Sequence, residues 1–409
     1  MTITVLFGRL LPSGTHTGAG TLLAARSLRA FVDGFVAVLL PAYLLALGLG
    51  TWQVGVLATA TLLGSALATL AVGAWGHYVH PRRLLRGAAL LMAATGVCFA
   101  SASGFWPLLL IAFIGTLNPS SGDVSVFLPL EHARLAEATE GDARTTLFAR
   151  YSLLAALAAA VGALAAAFPA YLSKSAGITP LAALRCMFLL YGLAGATVWL
   201  LYRRLPNPPA AEHAPVRTAL GASRPTVVRL AALFSVDSFA GGLVVNALMA
   251  LWLFQRFQLS IGAAGQFFFW SGLCAAASQL AAPPLAKRIG LVNTMVWTHI
   301  PASLCLIAAA LSPSLYPALA LLLVRSLLSS MDVPARSAFV MSVVTPAERA
   351  AAASFTAVPR SLASAAGPVI GASLFAAGLL AAPLVLCGVL KISYDLALWR
   401  AFRHHPTPA

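Results

Sequence analysis

A short polar pattern occurs twice in this chain, as SSGDV at residues 120–124 and as SSMDV at residues 329–333. Both copies interrupt long apolar stretches, and each places an aspartate where the flanking sequence is rich in leucine and valine. A pattern that recurs in equivalent surroundings indicates duplication of a larger unit. The pattern therefore predicts that the two halves of the chain share one architecture.

The composition requires a lipid environment. The 409 residues are 60% hydrophobic and 9% charged, and the mean hydropathy is +0.88, whereas soluble domains carry roughly 25% charged residues. A chain this apolar cannot cover its own surface with polar groups, so we expect most of it to lie in a bilayer. Because the strict alternation of a membrane barrel is absent from the sequence, it predicts an all-α membrane protein.

Twelve apolar segments are long enough to cross the bilayer, since each crossing needs about 20 residues. Their content of Ala, Gly and Leu favours close packing between helices in lipid. The predicted spans, numbered 1 to 12, cover residues 25–48, 53–74, 84–103, 105–130, 146–171, 178–202, 228–254, 262–284, 291–311, 314–333, 350–378 and 382–402.

The basic charge follows the membrane topology. The formal net charge is +15, from 26 Lys and Arg against 11 Asp and Glu. With both termini in the cytoplasm, most basic residues fall at the inner ends of the predicted spans, which is the positive-inside distribution. They do not form one basic patch, so we expect no nucleic-acid partner. The expected location is the plasma (inner) membrane, with multiple crossings and both termini cytoplasmic.

A polar segment separates two sets of six spans. It reads RRLPNPPAAEHAPVRTALGASRP and is rich in Pro, Ala and charge, which is typical of a flexible linker. The predicted organisation is a cytoplasmic tail (1–20), a six-helix bundle (21–202), a cytoplasmic linker (203–225), a second six-helix bundle (226–402) and a cytoplasmic tail (403–409).

Two further matches support the duplication. Arg150 and Arg360 begin spans 5 and 11, each following its aspartate at a similar distance. VDGF at 32–35 in span 1 resembles VDSF at 236–239 in span 7. Matches in the same order along both halves predict two pseudo-symmetric six-helix bundles.

Twelve spans in two halves, a central cytoplasmic linker and cytoplasmic termini resemble the major facilitator superfamily. That family carries the pattern Gly-x-Leu-Ala-Asp-Arg-x-Gly-Arg-Arg/Lys between helices 2 and 3. The corresponding stretch, GAWGHYVHPRR, keeps Gly73, Arg82 and Arg83 but has His77 at the aspartate position. The second-half counterpart, PPLAKRIG, has Lys287 at the aspartate position and keeps Arg288 and Gly290.

Polar and ionisable side chains inside the predicted spans are concentrated in spans 1, 4, 7 and 10. A charge near the bilayer centre costs about 2.5–3.5 kcal/mol on insertion scales, so such residues mark functional sites. In the family that the chain resembles, these four helices line the central cavity. The resemblance therefore implies a cavity here, and the candidate substrate and coupling residues are Asp33, Asn118, Asp237, Asn246 and Arg325.

Asp33 and Asp237 have two open interpretations. Both lie close to the inner ends of their spans, and Arg29 stands one helical turn before Asp33, on the same face. The first interpretation is a local ion pair near the headgroups. The second is a carboxylate that takes up a proton during transport, or that binds a cationic or metal substrate.

Asp123 and Asp332 are candidate gate residues. Arg150 and Arg360 lie near the inner ends of the spans that follow, so we expect each aspartate to pair with one of these arginines. Such pairs would hold the bundles together on the cytoplasmic side and separate when that side opens. A structural bridge within each half is the alternative. The stretch NPSSG at 118–122 is poor helix sequence, and a broken backbone at membrane depth requires protein or water around it.

Arg325 in span 10 has no charged counterpart in the first half, where the matching residue is Thr116. One interpretation is an ion pair with Asp332 in the same span. The other is an anchor for an anionic substrate group, since substrate sites of duplicated carriers lie near the midplane. Lys391 and Asp395 in span 12 are spaced i,i+4, which predicts an ion pair between them.

These patterns favour a secondary active transporter that works by alternating access. The sequence contains neither a phosphate-binding Gly-x-x-x-x-Gly-Lys-Ser/Thr loop nor a catalytic constellation, so we expect no enzyme, no cofactor and no metal site. The expected partners are a small-molecule substrate, the proton and the lipid bilayer, for a monomer. Proton-coupled efflux of small organic compounds is the first hypothesis. Uptake of a small anionic metabolite, or a non-transporting sensor of the same fold, is the alternative.

Overall fold

The regular elements are all helices. The computed structural model describes residues 18–120, 125–138, 141–205, 221, 223–345 and 348–403. No strand occurs in this part of the chain. Helices suit an apolar sequence in lipid, because each one satisfies its backbone N–H and C=O groups internally. The all-α prediction is confirmed.

The chain divides into two compact units. The first unit comprises Met1–Ala210 and Leu259–Phe269, and the second unit comprises Ala211–Gln258 and Trp270–Ala409. Most of the predicted linker, residues 206–220, lies outside the described part of the chain, so the linker boundaries stay a prediction.

The last helix before the linker shows a sequence signal for a helix start. The Thr179 hydroxyl accepts a hydrogen bond from the Ala182 N–H at 3.2 Å, and Pro180 occupies the first helical position. The helices before the linker are α1 (Gly18–Ala46), α2 (Thr51–Trp75), α3 (Pro81–Ser101), α4 (Phe105–Ile114), α5 (Phe127–Glu137), α6 (Gly141–Leu164), α7 (Phe168–Ala176) and α8 (Pro180–Arg203).

Eight helices of the described chain follow the linker. They are α9 (Arg224–Gly242), α10 (Asn246–Phe257), α11 (Ile261–Ile289), α12 (Leu291–Leu311), α13 (Leu315–Ser329), α14 (Asp332–Ser342), α15 (Arg349–Ala376) and α16 (Ala382–Phe402).

Nine helical segments of the described chain are long and apolar enough to cross a membrane. They are Gly18–Ala46, Thr51–Trp75, Pro81–Ser101, Thr146–Ala176, Pro180–Arg203, Arg224–Phe257, Leu291–Leu311, Leu315–Ser342 and Ala382–Phe402. The chain is therefore a multi-pass membrane protein.

Three predicted spans are not among these nine. Helix α4 is apolar but has only 10 residues. Helices α11 and α15 have 29 and 28 residues, but each contains two prolines together with polar and basic side chains that lower its hydropathy. The total of twelve crossings therefore stays a prediction.

The spans that carry the SSxDV patterns are interrupted helices. Helix α4 ends at Ile114 and α5 begins at Phe127, so the predicted span 105–130 is not one continuous helix. In the second unit α13 ends at Ser329 and α14 begins at Asp332. The interruption therefore recurs at the repeated pattern.

A local turn accounts for part of the first interruption. The Asn118 side-chain oxygen accepts hydrogen bonds from the Ser120 N–H at 3.2 Å and from the Ser120 hydroxyl at 2.7 Å. Side chains of this type compete with helical hydrogen bonding for the nearby backbone groups. The rest of the pattern, residues 121–124, lies outside the described part of the chain.

The same helix pairings recur in both units. In the first unit α1 packs on α6 and on α8, and α3 packs on α8. In the second unit α9 packs on α15 and on α16, and α12 packs on α16. Numbered by span, the pairs 1–5, 1–6 and 3–6 return as 7–11, 7–12 and 9–12. This repetition is the structural counterpart of the duplicated sequence pattern.

Glycines bring the paired helices into backbone contact. A β-carbon on Gly34 of α1 would lie 2.1 Å from the carbonyl oxygen of Ala159 on α6. A β-carbon on Gly367 of α15 would lie 2.2 Å from the carbonyl carbon of Gly242 on α9. Small residues allow this close approach, which supplies the van der Waals contact that holds helices together in lipid.

Glu348 connects the loop before α15 to the start of α9. Its carboxylate oxygens accept hydrogen bonds from the Gly221 N–H at 2.8 Å and from the Ser223 N–H at 3.1 Å. The hydrogen bond from the Ser223 hydroxyl, together with that from the Gly221 amide, holds the pKa of Glu348 below its usual value. Glu348 therefore fixes the chain where it leaves the linker.

The glycine contact predicts a specific instability. Gly34→Ala should force α1 and α6 apart, and overpacking of this kind costs about 1–3 kcal/mol. The melting temperature in detergent should fall by several degrees. Gly87→Ala in α3 is the control, because a β-carbon there meets no atom within 4 Å. Equal melting temperatures for the two variants would contradict the close contact.

The hydrogen bonds to Glu348 predict a pH-dependent contribution to stability. Because the pKa of this carboxyl is lower in the folded protein, its contribution is present at neutral pH and is lost as the pH falls below about 4.5 and through the folded-state pKa. The melting-temperature difference between wild type and Glu348→Gln should therefore shrink on acidification. Ser223→Ala should show a smaller loss with the same pH dependence. A difference that stays constant to pH 3 would refute the assignment.

Candidate functional site

A network of buried charges lies inside the second unit. Its members come from five helices, and each of its three carboxylates is 6% exposed or less. We call it the Asp237 network. It consists of Asp237 (α9), His299 (α12), Asp332 and Arg336 (α14), Arg360 (α15), and Lys391 and Asp395 (α16).

Asp237 is the centre of this network. One of its oxygens, Oδ1, accepts a hydrogen bond from Lys391 Nζ at 2.5 Å. The other, Oδ2, accepts one from the Arg336 guanidinium at 3.2 Å. A buried carboxylate is costly unless it is paired and hydrogen-bonded, and here two cations from different helices occupy both oxygens. The geometry is that of an ionised carboxylate that joins α9, α14 and α16.

Arg336 extends the network to Asp332. Its guanidinium binds the Asp332 carboxylate, one turn earlier on α14, as well as Asp237. The sequence predicts a pair between Asp332 and either Arg150 or Arg360. In this structure the ion pair of Asp332 is instead with Arg336, because i,i+4 neighbours meet without any other helix being positioned.

His299 of α12 connects α16 to the centre of the network. Its Nδ1 lies 3.1 Å from both carboxylate oxygens of Asp395. Its Nε2 lies 3.5 Å from Lys391 Nζ and 4.0 Å from Asp237 Oδ1. The predicted ion pair between Lys391 and Asp395 is therefore wrong. Each side chain turns toward a buried partner on another helix, Lys391 toward Asp237 and Asp395 toward His299.

Arg360 of α15 lies at the edge of the network. Its Nε donates a hydrogen bond to the hydroxyl of Ser238, the residue after Asp237, at 3.2 Å. Its guanidinium carbon lies 6.0 Å from the centre of the Phe234 ring, and that of Arg336 lies 5.6 Å from the same ring. Aromatic rings attract cations at such distances. Phe234 therefore helps to hold two guanidinium groups near Asp237.

Arg325 does not belong to the network. It lies in α13 and is half-buried, and within the described ranges no residue forms a hydrogen bond or an ion pair with its guanidinium. The adjacent Ser326 hydroxyl lies 2.7 Å from the Ser271 hydroxyl. Asp332, its predicted intrahelical partner, is occupied by Arg336. Arg325 is thus a cation inside a membrane-spanning segment without a described counter-charge.

The first unit holds a buried carboxylate of its own, Glu131 on α5, which is 0% exposed. The Arg29 guanidinium of α1 binds it. The hydroxyls of Tyr151 and Tyr202 donate to it at 2.5 Å and 2.6 Å. The Arg29 guanidinium also lies 4.0 Å from the Phe127 ring centre. Three donors therefore surround this carboxylate, and the contact connects α1, α5, α6 and α8.

The remaining candidates are placed as follows. Asp33 is half-buried on α1, where Arg29 and Arg26 are its charged neighbours. Asn246 is half-buried and begins α10. Asn118 closes the turn described above. Arg150 is half-buried on α6. Asp123 lies outside the described residues, so its predicted partner stays a prediction.

The basic residues of the first predicted loop motif contact the end of α8. Arg82 donates from Nε to the Tyr202 carbonyl at 3.4 Å, and its guanidinium also binds the Arg203 carbonyl. A cation at the C-terminus of a helix satisfies carbonyl groups that have no intrahelical partner. Gly73 and Arg83 are exposed.

The second-half motif marks the junction of α11 and α12. Lys287 and Arg288 are exposed in the last turn of α11. Gly290 has a φ of +86°, a conformation that side chains other than glycine rarely adopt. The glycine of this motif therefore has a backbone role.

Five charged or titratable residues of these contacts are not among the predicted site residues: Glu131, His299, Arg336, Lys391 and Asp395. For Lys391 and Asp395 the sequence predicts only an ion pair with each other. Glu131 lies at the boundary of predicted span 4, and Arg336 lies just beyond predicted span 10. His299 is a titratable side chain inside predicted span 9, and an ionisable residue in a membrane span is itself a sign of function. That signal was sufficient to select His299.

The Asp237 network is a continuous series of ionisable groups. Carboxylates, an imidazole and an ammonium group contact one another in sequence, from Asp395 through His299 and Lys391 to Asp237. No cluster of three or more His, Cys, Asp or Glu in the described ranges has the arrangement of a metal site.

Comparisons with known proteins agree with this architecture. The family model described as Major Facilitator Superfamily matches residues 22–243. An uncharacterised membrane protein of Saccharomyces cerevisiae is 24% identical over 412 residues, which covers 92% of each chain.

Solved structures share the fold. The crystal structure of a mutant of the nucleoside transporter NupG has a TM-score of 0.73 and 15% identity, covering 94% of this chain and 100% of that chain. A bacterial homologue of the human lysosomal transporter Spinster, inward-facing and occupied, has a TM-score of 0.73 and 17% identity, covering 96% of this chain and 98% of that chain. Likeness at these identities shows the fold alone.

The contacts of Glu131 predict a large loss of stability when its charge is removed. Glu131→Gln leaves Arg29 buried without its counter-charge, and breaking a buried ion pair in this way costs about 3–5 kcal/mol. We expect a marked fall in folded yield and in melting temperature. The double variant Arg29→Met/Glu131→Gln removes both charges and should recover part of the loss. A single variant as stable as wild type would show that the pair is not ionised.

Proposed function

The chain belongs to the major facilitator superfamily and is a transporter rather than an enzyme, and we propose that it moves a small organic anion together with a proton. Such a carrier alternates between inward- and outward-facing states and draws its energy from an ion gradient. Proton coupling and the charge of the solute rest on different residues.

The Asp237 network is the observation that carries the proposal of proton coupling. Its ionisable groups are buried in the membrane-spanning segments of the second unit and touch one another across α9, α12, α14 and α16. A structural role alone would be met by one ion pair. A connected series of acids, bases and a histidine is typical of proton-coupled carriers. Asp237, a predicted coupling residue, lies at its centre.

Arg325 supports an anionic solute. A cation at this position carries a desolvation cost that a counter-ion offsets. Because Asp332 binds Arg336, the simplest internal counter-ion for Arg325 is already engaged. We propose that a carboxylate or phosphate group of the solute takes this place.

The other predicted residues receive roles in the same mechanism. Asp33, Asn118 and Asn246 are proposed to line the substrate cavity. Asp123, Arg150 and Arg360 are proposed to act in the cytoplasmic gate, whereas Asp332, the fourth predicted gate residue, is paired with Arg336 in the Asp237 network. We place the protein in the plasma (inner) membrane as a monomer with both termini cytoplasmic.

Proton-coupled efflux of small organic compounds is the second candidate function. Asp33 would act in it: this half-buried carboxylate on α1 would exchange its charged neighbours Arg29 and Arg26 for a cationic solute that leaves in exchange for protons. A sensor of the same fold would bind a solute without moving it. Binding and flux measurements distinguish these cases.

A stabilisation screen tests the charge of the solute. Benzoate, succinate and glucose 6-phosphate serve as anionic probes, uridine as a neutral probe and tetraethylammonium as a cationic probe. We expect an anionic probe to raise the melting temperature of the purified protein. Arg325→Gln should lower the affinity for that probe about tenfold or more, as expected for loss of a charged hydrogen bond. Arg83→Gln, at an exposed arginine, should bind like wild type. Stabilisation by tetraethylammonium alone would favour efflux of cations.

Flux in proteoliposomes tests the coupling. An inward proton gradient should drive accumulation of the stabilising anion, and dissipating the gradient should abolish that accumulation. Transport that ignores the gradient would refute proton coupling, and binding without flux would favour the sensor.

A further inference from the structure

The partners of His299 determine which of its nitrogens carries a proton. Nδ1 faces both oxygens of Asp395 at 3.1 Å, and an ionised carboxylate only accepts hydrogen bonds, so Nδ1 donates. Nε2 faces the Lys391 ammonium at 3.5 Å, and an ammonium group only donates, so Nε2 presents its lone pair. The imidazole ring is therefore neutral in this arrangement.

His299 and Lys391 lie beside the same oxygen of Asp237. Lys391 Nζ is 2.5 Å from Oδ1 and His299 Nε2 is 4.0 Å from it. A proton added at Nε2 would direct a hydrogen atom and a positive charge at the ammonium group. Lys391 is the more exposed of the two side chains, at 12% against 5%, so it is the cation with more room to move away from Asp237.

We propose that His299 is the proton-binding residue of the second unit and that its protonation displaces Lys391 from Asp237, a step that rests on the proton-coupled transport proposed above. One proton from water joins Nε2, while the Nδ1 hydrogen stays with Asp395. Asp237 exchanges an ammonium partner for an imidazolium partner. Lys391 leaves with its three protons, and loss of the Nε2 proton reverses the exchange.

The surroundings of His299 are compatible with this exchange. The titratable and charged side chains that face it or its direct partners from the helices around it are Asp395, Lys391, Tyr394 and Cys387 on α16, Asp237 on α9, Asp332 and Arg336 on α14, and Arg360 on α15. Helix α13, which also packs on α12, carries Arg325, which forms no hydrogen bond with the ring among the described contacts. Arg336 keeps its bond to Asp237 throughout, so the carboxylate never loses both cations.

Selective ¹⁵N-histidine NMR on the purified full-length protein tests the exchange without a solute. The chain has 8 histidines, and the signals missing from His299→Gln identify the ring. In wild type we expect Nε2 to lack a proton at pH 8.5 and to carry one at pH 5.5, while Nδ1 stays protonated. Lys391→Met removes the competing ammonium, so Nε2 should carry its proton at both pH values.

Lys287→Met is the matched control, because Lys287 is exposed on α11, and its His299 signals should follow those of wild type. If His299→Gln does not fold, the ring is identified by the signals that Asp395→Asn shifts. The proposal is overturned if Nε2 keeps one protonation state from pH 5.5 to 8.5 in wild type, or if Lys391→Met titrates like wild type.

The outcome is separable from that of the proposed function. A wild-type His299 that titrates as expected, in a protein whose flux ignores a proton gradient, would refute the coupled transport alone. A fixed His299 in a protein whose flux does follow the gradient would refute the role of His299 alone and would place the proton elsewhere.

Discussion

The cost of a charge in a medium of low dielectric constant is the constraint on which the second unit depends. Asp237 is buried in a membrane-spanning helix, and it is stable as an anion only because Lys391 and Arg336 occupy its two oxygens. These cations come from helices far apart in the chain, so one requirement positions α9, α14 and α16 together. A separate contact, between His299 and Asp395, connects α12 to the same group of helices.

The two units meet this constraint with opposite polarity. In the first unit the cation Arg29 lies on α1 and the anion Glu131 on α5. In the second unit the anion Asp237 lies on α9 and the cation Arg336 on α14. The helices are equivalent by span, so the duplicated architecture keeps the contact and reverses its sign. The reversal also favours pairing of helices within their own unit. A helix that took the place of its counterpart in the other unit would meet a like charge there.

The membrane class, most spans and the repeated halves can be predicted from the sequence because they depend on local hydropathy and on matches between segments. The charge pairs are harder to predict, because they depend on how each helix is rotated against its neighbours. The i,i+4 spacing of Lys391 and Asp395 predicts a pair within one helix. Instead, Lys391 binds Asp237 on α9 and Asp395 binds His299 on α12. Glu131 lies at the boundary of predicted span 4, where composition gives no indication of burial.

The contact between Gly242 and Gly367 has a mechanical consequence. Two helices whose backbones touch have no intervening side chains whose rearrangement would let them slide, so we expect α9 and α15 to move as one rigid body. Asp237 lies on one helix of this pair and Arg360 on the other. A change of partner at Asp237 would therefore reach Arg360 through the motion of the helix pair, as well as through the hydrogen bond between Arg360 and Ser238.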